Sequence, residues 1–265
     1  MSRSSKRRLP DSLEPLLRTA AGILLLPPAL ICASVAVYIG TLFAVSSARL
    51  HYFYDWFARA SLRVAGTRLE VYGLEHLEAG QAYVVVSNHE STWDPPVLVA
   101  GLPQLVLRFV VKTELMRIPI FGQALRRSGN VRVVREQAGG DAARIRKVMD
   151  ERDPAVSILF FAEGTRARDG AFHPFRKGAF ITAIAYGLPI LPVAHAGNYA
   201  MWPKGKLRLC SGPAVIEVGE PIPTDGCGYD DRAALRDRTH EAVGRLRARA
   251  RERLRALGRE PGGID

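Results

Sequence analysis

Apolar positions are arranged in two ways along this chain. Near the N-terminus they form one continuous block: from Thr19 to Ala48 there are 30 residues without a formal charge, preceded by Arg3, Lys6, Arg7, Arg8 and Arg18 and followed by Arg49. Such a block predicts a membrane segment. As one helix it would be ~45 Å long at ~1.5 Å per residue, more than a hydrocarbon core of ~30 Å requires. Pro27 and Pro28 are expected to break it, since each lacks an N–H donor and crowds the preceding turn. Ala29 to Ala48 is then long enough to span, and two forms stay open: a spanning helix behind a broken first turn, or a helical hairpin within one leaflet. A cleavable signal would carry only ~7 to 15 apolar residues, so the block is read as retained. The basic flank predicts a cytoplasmic N-terminus. In "RLHYFYDWFARASLRVAG", residues 49 to 66, Tyr52, Tyr54, Trp56 and Phe57 mix with Arg59 and Arg63 as in an interfacial helix, although an aromatic core helix would look similar.

Beyond Gly66 the apolar residues fall into short β-branched runs separated by helix-length pieces. Strands are predicted at Arg68 to Tyr72, Tyr83 to Val86, Leu105 to Val111, Val131 to Val134, Ser157 to Phe161, Ile190 to Ala194, Leu207 to Cys210 and Ala214 to Val218. Helices are predicted at Pro96 to Gly101, Ile120 to Arg127, Asp141 to Arg152, Lys177 to Tyr186 and Asp230 to Leu257. The alternation predicts an α/β fold, a mixed and largely parallel sheet flanked by helices, behind an N-terminal membrane helix or hairpin. Three parts are expected: residues 1–65 as tail, membrane segment and interfacial helix, 66–228 as the catalytic domain, and 229–265 as an arginine-rich helix and tail. Pro192 inside an apolar strand predicts an edge or a bulge beside a cleft.

Charge sets the kind of partner. A net +11 and a pI near 10.0 over 265 residues call for an acidic one: nucleic acid, anionic lipid or a phosphorylated substrate. The closing helix holds nine arginines, but acids interleave with them and no aromatic follows Tyr229, so base stacking is absent and no nucleic-acid partner is expected. It reads as a solvated face near anionic lipid. Cys32, Cys210 and Cys227 lack metal-type spacing, and no metal or cofactor is expected.

Candidate chemistry gathers at strand ends. "VVVSNHESTWDPPVL", residues 84 to 98, runs a strand into His89 and, five positions later, Asp94. A carboxylate on Nδ1 would fix the imidazole tautomer and leave Nε2 as a base near neutral pH; a turn histidine followed by a helix-capping aspartate would read the same. "ILFFAEGTRARDGAFHPFRKGAF", residues 158 to 180, repeats the design with Glu163, Gly164, Thr165 and Arg166. Arg176, Lys177 and Gly178 then enter a helix whose first amides can face an anion. A third strand ends in Arg135, which would emerge on the same edge if the strands are parallel neighbours. His195 and His173 are alternative bases without an acid at comparable spacing. Ser91 reads as a turn residue, because the chain has no Gly-x-Ser-x-Gly elbow.

Taken together, Asn88 to Asp94, Gly129 to Arg135, Phe161 to Arg166 and Leu188 to Val193 resemble the four blocks of the glycerolipid acyltransferase family, the lysophosphatidic acid acyltransferases most closely. The likeness covers about residues 66 to 220, with Ala162 in place of a usual proline and Arg132 in a usually apolar stretch. It implies acyl transfer from acyl-CoA or acyl carrier protein (acyl-ACP) to lysophosphatidic acid, with His89 as general base and Asp94 orienting it. Arg135, Glu163, Gly164, Thr165 and Arg166, joined by Lys177, would hold the acceptor. The expected location is the inner membrane, with the catalytic domain on the cytoplasmic side. A lyso-ornithine lipid or another lysophospholipid as acceptor, or a non-catalytic anion-binding protein, are the competing readings.

Overall fold

The computed structural model describes residues 13–133, 138–166, 170–202 and 208–259. Helix α1 (Glu14–Leu42) is long and apolar enough to cross a membrane. It continues through Pro27 and Pro28, contrary to the expected break. The reason lies in what holds it. At its start Ser211 Oγ donates to Glu14 (2.5 Å), the Leu209 amide donates to Thr19 Oγ1 (2.9 Å), and Arg18 donates to the Val64 carbonyl (3.2 Å). Near its end Arg127 donates to Thr41 Oγ1 (3.1 Å) and lies over the Tyr38 ring. Contacts on both sides of the prolines fix the axis, and the carbonyls left without donors, those of Ile23 and Leu24, belong to exposed residues. Helix α2 (Ser47–Ala65) turns back along α1 and ends at Gly66, whose φ of 70° and the Arg18 guanidinium lying over it both require glycine.

The sheet follows the order β1-β7-β6-β2-β5-β3-β4. Its strands are β1 (Thr67–Tyr72), β2 (Val84–Ser87), β3 (Val106–Lys112), β4 (Val131–Val133), β5 (Val156–Phe161), β6 (Ile190–Ala196) and β7 (Gly212–Val218). Every neighbouring pair is parallel except β6 with β7, as the predicted mixed sheet requires. The predicted strand from Leu207 to Cys210 is not formed: residue 207 lies outside the described residues, and 208–210 run as an irregular connection. Between strands lie α3 (Asp94–Gly101), α4 (Thr113–Met116), α5 (Phe121–Arg127), α6 (Ala138–Asp150), α7 (Gly178–Tyr186) and α8 (Asn198–Met201), and α9 (Arg232–Ala256) closes the fold.

Period-two alternation feeds two apolar layers. Tyr83 and Val85 point into one, with Ala58, Leu62, Val97 and Leu98 of α2 and α3; Val84 and Val86 point into the other, with Phe180 of α7 and Leu246 of α9. Leu235, Thr239, Val243, Leu246, Ala250 and Leu254 are all buried. Their helical spacing packs one side of α9 onto the α/β domain, and Arg238, Arg249, Glu252, Arg253 and Arg255 are exposed on the rest of it. Pro192 stands in an interior strand, not at an edge. The β6–β7 ladder begins only at Val193, so its missing N–H interrupts no pairing on that side.

Candidate active site

β2 and β5 are parallel neighbours, so the turns after Ser87 and Phe161 leave the sheet on one edge, beside the carboxyl end of β6. Asn88 ties the first turn to β6. Its Nδ2 donates to the His195 carbonyl and its Oδ1 accepts the His195 amide, both at 3.0 Å. The turn then folds onto the carboxylate of Asp94, which opens α3 and is wholly buried. Oδ2 accepts the Glu90 amide (2.7 Å), the Ser91 amide (2.8 Å) and His89 Nδ1 (2.6 Å), while Oδ1 accepts Asn198 Nδ2 (3.0 Å). His89 therefore carries its proton on Nδ1, and Nε2 lies on the opposite edge of the ring. Phe161 stacks on that ring at 4.0 Å.

Electrostatics favour a neutral base beside a charged carboxylate. Burial is the largest influence on His89 and holds its pKa below the ordinary histidine value, although Asp94 pulls the other way. For Asp94 burial alone would raise the pKa, but His195, His89 and the turn amides together keep it below the usual carboxylate range.

His195, read from the sequence as an alternative base, and two residues that sequence reasoning did not single out, Asn198 and Arg247, complete the buried network. His195 Nε2 donates to the Asn88 carbonyl (2.9 Å) and lies 3.7 Å from Asp94 Oδ2; Asn198 Nδ2 also reaches His195 Nδ1 (3.1 Å). Arg247 of α9 pairs with Glu90 (3.1 Å) and donates to the Gly170 carbonyl (2.5 Å), both partners of the ion pair being buried. The apolar phase of α9 marks Arg247 as an inward arginine. No local signal marks Asn198 as a partner of Asp94, 104 positions away.

The second turn meets the first. Glu163 accepts the His89 amide on Oε1 (2.9 Å) and the His173 amide on Oε2 (3.0 Å), so its carboxylate braces the two turns, and burial raises its pKa. Gly164 has φ of 73°, and the Arg176 side chain lies where a β-carbon would stand. Arg166 donates to Thr92 Oγ1, inside the first turn. Thr165 is half-buried, and Lys177 is exposed at the entrance to α7. Arg135 lies outside the described residues. His89 stands in the wall of a cavity of about 1590 Å³. Leu26, Leu30, Val37 and Phe57 of the helical pair form an apolar part of that wall, and Arg166, Arg176 and Lys177 a basic part.

An imidazole backed by a carboxylate, between an apolar channel and a cluster of cations, defines a site able to deprotonate a hydroxyl on an amphiphilic anion. The acyltransferase family pattern matches residues 68–196. Over 190 residues the chain is 34% identical to the 1-acyl-sn-glycerol-3-phosphate acyltransferase of Pseudomonas aeruginosa, covering 71% of each chain. It is 32% identical to the human alpha enzyme of that name over 67% of this chain, and spans 63% of that relative's length. The fold matches the crystal structure of the 1-acyl-sn-glycerophosphate (LPA) acyltransferase PlsC from Thermotoga maritima, with TM-score 0.73, 23% identity, and 88% and 95% of the two chains covered. The chain belongs to the acyltransferase family.

Proposed function

We propose that this protein transfers an acyl chain from an acyl thioester to the free hydroxyl of lysophosphatidic acid, giving phosphatidic acid for phospholipid synthesis. The observation that carries this reading is the position of His89, backed by buried Asp94, in a cavity wall that is apolar in one part and basic in another. Nε2 of His89 takes the hydroxyl proton as the oxygen attacks the thioester carbonyl. The tetrahedral intermediate then expels the thiolate, which recovers that proton from His89. Asp94 holds the tautomer and stabilises the transient imidazolium. No protein nucleophile takes part: Ser91 Oγ donates to the Trp202 carbonyl (3.0 Å) and accepts the Trp93 amide (3.2 Å). Arg166, with Arg176 and Lys177, holds the acceptor phosphate through charge-assisted bonds. The donor is acyl-CoA or acyl-ACP.

Substrate and product both live in lipid, and α1 supplies the contact with it. Both ends of α1 are bonded to the catalytic domain, so the helix lies along that domain and enters one leaflet by its exposed face rather than crossing the bilayer. Leu17, Leu24, Ile31, Val35 and Leu42 recur at helical spacing on that face. The protein sits on the cytoplasmic side of the inner membrane. Membranes holding the wild type or His89→Ala, given labelled acyl donor and a panel of lysolipids, test the proposal. Wild-type membranes are expected to acylate lysophosphatidate preferentially and the variant to lose ~100 to 10,000-fold in turnover; equal turnover by the variant would refute the assignment.

A further inference from the structure

We infer that the protein enters the bilayer at a second place, the tip between α4 and α5, and that this contact sets the mouth of the acyl cavity at the lipid surface. The inference rests on the reading of α1 as an interfacial helix. Leu115, Ile118 and Ile120 are 41%, 43% and 41% exposed. Among the described residues beyond Gly66 they are the exposed large aliphatic side chains, and all three fall within six positions. Scattered surface leucines need no explanation, but such clustering does.

The backbone strengthens the case. Ile120 has φ of 63° and ψ of −62°, and the Phe121 amide bonds to the Pro119 carbonyl (2.6 Å): the strained form of the γ-turn, in which a β-branched residue is costly. Water contact gives that isoleucine nothing in return. Lipid contact does, since it takes the side chain's remaining apolar surface out of water. The surroundings carry charge of the matching sign. Arg117 lies within the tip and Arg126 and Arg127 end α5, all exposed, with Glu114 as the acid among them; this is the composition that favours anionic headgroups.

Continuity fixes the occupant. Helix α5 packs on α1, and Leu115 and Ile118 share the cavity wall with Leu26 and Leu30 of α1. Ile120 stands outside that wall, so an acyl chain within the cavity does not cover it. A bilayer resting on the exposed face of α1 does. The cavity then opens between two lipid-seated lips, and a lysolipid slides in sideways with its phosphate left at the basic wall.

Spin labelling of the full chain in vesicles of equal parts phosphatidylcholine and phosphatidylglycerol tests this. With Cys32, Cys210 and Cys227 changed to serine, single nitroxides are attached at Leu24→Cys, Ile118→Cys and, as a control on exposed α9 surface, Arg238→Cys. The labels at 24 and 118 are expected to collide more with oxygen than with a water-soluble nickel chelate, and the label at 238 the reverse. A label at 118 that behaves like the one at 238, while the label at 24 stays in lipid, overturns the proposal and leaves the α1 reading standing. If both stay in water, both fall. As an independent measure, Ile120→Asp is expected to raise KM for vesicle-borne lysophosphatidate about tenfold and to leave KM for a short-chain, water-soluble acceptor unchanged. An equal rise for both acceptors would overturn the proposal.

Discussion

Replacing Asp94 by asparagine keeps the side-chain shape and removes one charge, and the structure predicts where the loss falls. Three donors converge on Oδ2 and one on Oδ1. The new amide oxygen must therefore take the Oδ2 position, which puts its NH2 opposite Asn198 Nδ2, donor against donor. Asn198 can turn its own amide to meet it, since its Oδ1 has no partner among the described residues. That oxygen would then face the unprotonated Nδ1 of His195, whose proton is committed to the Asn88 carbonyl through Nε2. One buried hydrogen bond is lost either way, about 1 to 3 kcal/mol of stability. The rate falls further, because the imidazolium formed at His89 no longer has a carboxylate on Nδ1: kcat is expected to drop ~100 to 10,000-fold with the acceptor KM little changed. Thermal unfolding and steady-state kinetics on the same preparation read both effects. A folded Asp94→Asn protein with kcat within about threefold of wild type would refute the assigned roles of both residues.

The remaining expectations use the same two measurements. His89 must be neutral to act and its pKa lies below the ordinary value, so wild-type kcat/KM should rise with pH along a limb centred below about 6.5 and level off above it; a limb centred above 7 would contradict the burial of the ring. Since Asp94 raises the His89 pKa, the Asp94→Asn limb should move to still lower pH. Arg166→Lys should raise KM for lysophosphatidate far more than it lowers kcat, and leave the donor KM unchanged, because an ammonium cannot reproduce a forked contact; equal impairment with an uncharged monoacylglycerol would make the arginine structural. Arg247→Ala should cost about 1 to 3 kcal/mol of stability, because buried Glu90 loses its hydrogen-bonded partner and keeps only Arg251, 3.9 Å away, and Glu90→Gln in the same chain should recover part of it, as thermal unfolding would show.

What the sequence made legible was local. His89 and Asp94 sit five positions apart, so one turn brings them together, and strand ends on a parallel sheet share an edge whatever the rest of the fold does. The partners of that pair were hidden by distance along the chain: Asn198 and Arg247 reach the first turn from 104 and 157 positions away. Two rules gave way to tertiary context. Prolines 27 and 28 read as a break because propensity knows nothing of contacts that hold a helix on both sides of them. Pro192 read as an edge or a bulge, and it stands in an interior strand, because sequence cannot tell which stretch of a strand lacks a partner. For α9 the buried phase was present in the sequence, but its arginines drew the reading toward the surface. Conversely, Glu163 read as a ligand for substrate, and both its oxygens are engaged by backbone amides of the chain itself.

The sheet order has a consequence for how the protein comes into being. β1, the first strand made, pairs with β7, the last, and no partner for it exists until residues 212–218 have left the ribosome. By then α1 and its apolar face have long been outside. α9, which fastens Glu90, comes later still. The nascent chain is therefore a lipid-seeking helix before it is a domain, and its catalytic turn stays unfinished until synthesis is nearly over. The order in which the chain is made thus puts the lipid-seeking helix outside before the His89–Asp94 turn is braced.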